Sequence, residues 1–91
     1  MAIVLNQNLI KVEYFNLIAL LEFESKNNSS IRELFNYVIQ RKSKFTNPLV
    51  KLESKEVIRG INRYSDEFSF SKEGNEKIKE SLSKIYDLLN C

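Results

Sequence analysis

RKSKFTNPLVKLESKEVIRGINRYSDEFSFSKEG, residues 41–74, is the stretch whose reading decides the fold. Pro48 is the fixed point in it. Proline is tolerated in the first turn of a helix and not in its interior, and Thr46 or Asn47 before it is a good N-cap. The spacing therefore predicts a third helix that starts at Thr46–Pro48 and ends near Lys55, burying Leu49 or Val50 together with Leu52. Val57-Ile58-Arg59-Gly60-Ile61 then reads as a short strand. Asn62–Asp66 is a polar turn, and Phe68 and Phe70 alternate with Ser69 and Ser71 as a half-buried strand of period two. The expectation is a helix followed by a β-hairpin, with Arg63 and Tyr64 near its tip.

Upstream, residues 2–5 (AIVL) meet the polar run Asn6-Gln7-Asn8 and leave open a strand, a first helical turn or an arm that swaps onto a partner. From Leu9 to about Glu24 the pattern is helical. Val12, Phe15, Leu17, Ile18, Leu20 and Leu21 cover more of the circumference than a surface helix needs, as in a helix buried on more than one side. The second helix starts on the pair Ser30 and Glu33, the spacing of a capping box. Ile31, Leu34, Phe35 and Val38 then give one apolar face at i, i+3, i+4, i+7. After Ser71, the stripe Ile78, Leu82, Ile85 and Leu89 marks a fourth helix with heptad spacing and Tyr86 beside it. That stripe must pack on the first helix, on a partner chain, or on both.

Ninety-one residues make one small domain, 1–91, and a core of this size gains from a partner subunit. No apolar run reaches the length of a membrane span, and the amino terminus lacks the pattern of a secretory signal. These points fit a cytoplasmic protein. Cys91 stands alone, so neither a disulfide nor a metal site is expected. There is no histidine and only two glycines, which leaves no phosphate-cradling loop. The carboxylates read as solvated helix faces, so no enzyme and no cofactor is expected. The net charge of +2 is unevenly spread: residues 41–63 carry seven basic and two acidic side chains. Clustered positive charge is the footprint of a polyanion partner, although a lysine-rich solvated face carries the same composition.

Three fragments in order resemble the winged helix-turn-helix family, with a MarR-like local signature. They are SIRELFNYV at 30–38, LESKEVI at 52–58, and FSFSKEG at 68–74. The sequence departs from that pattern at Glu56, where the family often has glycine, and at Pro48, which falls inside the usual recognition helix. Its length is closer to the small TubR-like adaptors of plasmid and phage partition. The resemblance implies a mainly α fold with a small β-hairpin: a three-helix core, a wing and a C-terminal helix. It implies double-stranded DNA binding as a homodimer, in a transcriptional regulator or in a partition adaptor that also holds a tubulin-like GTPase.

Lys and Arg neutralise phosphates, while Asn, Ser, Thr, Arg and Lys reach base edges. The candidate DNA-binding residues are Arg41, Lys42, Ser43 and Lys44 before the third helix, Thr46, Asn47, Lys51, Ser54 and Lys55 on it, and Arg59, Arg63 and Tyr64 in the wing. Ile78, Leu82, Ile85 and Leu89 are the candidate dimer contact, unless the first and fourth helices satisfy each other. A competing reading is a small helical interaction protein, of the phage inhibitor or immunity type, whose basic patch meets an acidic protein surface.

Overall fold

A computed structural model describes residues 2–46 and 51–90, with side chains from residue 7 onward. Its elements are helices: α1 (Ala2–Ser25), α2 (Ile31–Gln40), a 3₁₀ turn (Lys42–Phe45), α3 (Lys51–Ser65) and α4 (Lys72–Leu89). There is no strand among the described residues. α1 is the spine. Its 24 residues span about 36 Å at 1.5 Å per residue, close to the 40 Å long axis of the molecule. α4 and α2 pack along it, and α3 packs on α4 and α2.

The winged-helix expectation is overturned here. Residues 57–61, read as a strand, lie within α3, and the wing does not exist. The physical reason is the spacing of the buried side chains. Ser54, Ile58, Ile61 and Ser65 fall four, three and four apart, one face of a helix that packs on the core. Gly60 does not break it; a Cβ there would lie 3.3 Å from the Tyr37 hydroxyl. Phe68 and Phe70 sit in the loop at 66–71, partly buried against the core, while Ser69 is exposed and Ser71 turns its hydroxyl to Glu24. The period-two alternation belongs to a loop rather than a strand. α3 runs well beyond Lys55, and Leu52, expected in the core, is 72% exposed. Pro48, Asn47, Leu49 and Val50 lie outside the described residues, so the start signal placed on them does too.

Two other expectations change in detail. Ser30 does cap the α2 start in position, but its side chain does not bond to the helix. Its hydroxyl and amide both donate to Asn28 Oδ1, at 2.7 and 3.1 Å. The Asn28 side chain, which also donates to Ser69 O, organises this corner instead. The heptad stripe Ile78, Leu82, Ile85 and Leu89 is buried within the chain's own core. It meets the α1 seam Ile10, Tyr14, Leu17 and Leu21, which has the same four-three-four spacing. Of the options open for that stripe, the structure shows the packing on the first helix.

The polar groups at these seams are all satisfied: no buried side-chain nitrogen or oxygen among the described residues lacks a partner. Ser81 on α4 donates to Glu13 on α1 at 2.8 Å. At the α4 start, Ser71 accepts from the Gly74 amide at 3.0 Å and donates to Glu24 at 2.9 Å. Glu24, only 4% exposed, also accepts from the Ser71 amide.

Candidate nucleic-acid interface

The cationic segment divides into two groups. The first lies on α3. Lys51, Lys55, Arg59 and Arg63 recur every four residues, which turns each cation by about 40° from the last. They form one slowly winding stripe about 18 Å long at 1.5 Å per residue. Lys51, Arg59 and Arg63 are exposed and Lys55 is partly so.

The second group is the turn before α3. Arg41 is held rather than free: its guanidinium lies 3.5 Å from the centre of the Tyr37 ring and donates to Tyr37 O at 3.1 Å. Lys44 pairs with Glu53 at 3.0 Å. Lys42 and Ser43 are exposed, and Thr46 donates to Ser43 O, closing the turn. Glu53 sits about 160° around α3 from Lys55, so this group borders the far edge of the helix. The expected site residues therefore do not converge on one patch.

Two of them face inward. Ser54 is fully buried and donates to Lys44 O, tying the turn to α3. Tyr64 is half-buried between Tyr37 and Phe68, with ring centres 5.0 and 5.1 Å away. Burial, then the nearby Glu33 and Glu67 carboxylates, raise its pKa above the ordinary value. Asn47 lies outside the described residues.

A groove of about 300 Å³ runs beside the stripe, between α3 and α4. Ile58 and Leu82 form its floor, and Arg59, Asn62, Lys79, Ser83 and Tyr86 its walls. Arg59 donates to the Tyr86 hydroxyl at 2.9 Å. That bond holds Tyr86 below the ordinary tyrosine pKa and raises Arg59. Lys55 adds to the positive potential at Tyr86. Lys79 is committed to Asp66 at 2.6 Å and to Ser65 and Asn62.

The sequence reading missed Asn62, Lys79, Ser83 and Tyr86 as members of this wall. A signal existed for the last three: 79, 83 and 86 follow at four and three, one face of α4 beside its apolar stripe.

The pairing pattern separates α3 from α4. On α4, Lys77 pairs with Glu73, Lys84 with Glu80 and Lys79 with Asp66. Among the described residues, no carboxylate lies within ion-pair distance of Lys55, Arg59 or Arg63. Lys77, Lys79 and Lys84 of α4 are locally neutralised, and Lys55, Arg59 and Arg63 of α3 are not. This arrangement can hold successive anionic groups along one helix face. No helix among the described residues is long and apolar enough to cross a membrane, and they hold no cluster of metal-ligating side chains. Compared with protein-family models, curated proteins and solved structures, the chain matches none.

Proposed function

We propose that this protein binds double-stranded DNA through α3, without a wing. The observation that carries the reading is the stripe Lys51, Lys55, Arg59 and Arg63, exposed or partly exposed along one helix and, at Lys55, Arg59 and Arg63, not paired with carboxylates. An α-helix fits the major groove, and phosphate contacts supply most of the affinity. Arg59, Asn62 and Arg63 offer donors for base edges on the same side of the helix. The regulator and partition-adaptor roles came with the winged-helix resemblance. The DNA reading stands on the charge distribution alone.

A second reading has one observation in its favour. Leu52 is largely exposed beside the stripe, and an apolar side chain among cations also suits an acidic protein surface. A mobility-shift titration separates the two. The expected result is duplex binding that weakens steeply with salt. Lys55→Ala with Arg63→Ala lowers affinity about 10-fold or more and reduces the salt slope by about 2. Lys77→Ala, whose partner is Glu73, leaves both unchanged. Absence of duplex binding at about 50 mM salt, where phosphate contacts are weakly screened, overturns the DNA reading.

A further inference from the structure

The face of α1 turned away from the core is apolar along most of its length. Val12 is 66% exposed, Phe23 63%, Leu9 46% and Phe15 42%, and Ala19 is exposed between them. Leu9, Val12, Asn16, Ala19 and Phe23 recur at three, four, three and four, a seam opposite the buried one. The helix therefore carries two apolar seams, and only one is covered by its own chain. The uncovered seam extends about 21 Å at 1.5 Å per residue. We infer that a second copy of this chain covers it, with the two α1 helices antiparallel about a two-fold axis near Asn16.

Three features favour this occupant. The first is charge. Lys11 and Glu22 flank the seam on the same edge, on opposite sides of Asn16 in the chain. Neither is in an ion pair among the described residues. In an antiparallel pair, same-edge positions of the two helices face each other, so Lys11 of each copy runs beside Glu22 of the other. A parallel pair sets the two copies' Lys11–Glu22 edges on opposite sides of the interface, where these charges do not meet.

The second is shape. A groove of about 330 Å³ between α1 and α4 is lined by Leu9, Val12, Leu88 and the stems of Lys84 and Glu13. In the antiparallel register it lies opposite Phe23 of the other copy. A second groove beside Phe23, lined by Leu20, Glu24 and Lys77, lies opposite Leu9. Knob and groove are thus supplied twice by one surface, as a two-fold interface requires. The third is Asn16. It is the polar residue at the centre of the seam, and its amide donates to Glu13 at 2.9 Å, so its carbonyl oxygen is available to accept from the copy across the axis. A single asparagine in an apolar seam fixes register at some cost in stability.

This inference does not depend on DNA binding and is tested without it. Sedimentation equilibrium of the full chain is expected to give a dimer at tens of micromolar. Val12→Asp and Phe23→Asp, both at exposed positions, are expected to raise the dissociation constant about 100-fold, as for charges placed in a buried apolar interface, with the helical circular dichroism retained. Lys11→Glu and Glu22→Lys are each expected to weaken the dimer about 5-fold, and the double variant to restore it. A monomeric wild-type chain overturns the inference. So does a dimer indifferent to Val12→Asp, and loss without rescue in the charge swap overturns the antiparallel arrangement.

Discussion

Tyr14 and Phe45 stack face to face, with ring centres 4.1 Å apart and planes 10° from parallel. Both rings are buried. The contact ties the 3₁₀ turn to the middle of α1, and the Tyr14 hydroxyl donates to Val38 O at the end of α2. One aromatic pair therefore fixes the corner from which the chain departs toward α3. Phe45→Ala is expected to cost about 3–5 kcal/mol in urea unfolding, the range for emptying a buried aromatic site. Tyr14→Phe keeps the stack and removes only the hydroxyl. Its expected cost is about 1 kcal/mol, because Val38 O still accepts from the Arg41 amide.

The same tyrosine gives the fold an alkaline limit. Burial raises the Tyr14 pKa well above the ordinary 10.0. Below that value the hydroxyl is protonated in both folded and unfolded chains and contributes no pH dependence. Above it the unfolded chain has released the proton and the folded chain has not. The unfolded state then binds fewer protons, so stability falls as pH rises. Tyr64 is shifted in the same direction and Tyr86 in the opposite one. Urea midpoints measured on either side of pH 10 are expected to fall with pH in the native sequence, and to fall less in Tyr14→Phe.

Arg59 and Tyr86 join the α3 stripe to α4, and Tyr86 serves as a reporter of it. The guanidinium bond holds the Tyr86 pKa below 10.0. Arg59→Ala is expected to return its titration upward toward that value, followed by ring-proton shifts in NMR. If phosphates engage Arg59, adding duplex DNA is expected to shift Tyr86 in the same direction. A Tyr86 titration unmoved by Arg59→Ala would mean that the bond does not persist in solution.

How much of this was legible in the sequence follows from which faces the chain itself covers. α2 was readable because Ile31, Leu34, Phe35 and Val38 fall on one face at i, i+3, i+4 and i+7. Ser71 was readable as the boundary of α4 because its side chain acts locally, on the amide three residues ahead. α3 was misread because Val57, Ile58 and Ile61 satisfy a strand propensity and a helical period together. Packing of Ile58 and Ile61 into the core settles that conflict, and it is a tertiary term. α1 was hard for the opposite reason: with apolar residues on two seams, the pattern could not say that Leu17 and Leu21 face inward while Val12 and Phe23 face outward. The charge on α3 was visible, but its division from Arg41 and Lys44 depends on Tyr37 and Glu53, which come from other turns of the fold.

Glu24 and Gly74 are coupled by space. A Cβ on Gly74 would collide with the Glu24 carboxylate and would crowd the Ser71 hydroxyl. The carboxylate cannot withdraw freely, because it accepts from both the amide and the hydroxyl of Ser71. Glycine is thus required here by the buried acid, and the acid by the N-terminus of α4. Gly74→Ala is expected to cost about 1–3 kcal/mol through overpacking. Glu24→Ala is expected to cost a similar amount by removing the carboxylate that accepts from both the amide and the hydroxyl of Ser71. In the double variant the collision is gone, so the second substitution adds little. Urea unfolding of all four proteins in the cycle is expected to give a coupling of about 1–2 kcal/mol, with the double variant more stable than the sum of the singles. Additive losses would show that the carboxylate is not what excludes a side chain at position 74.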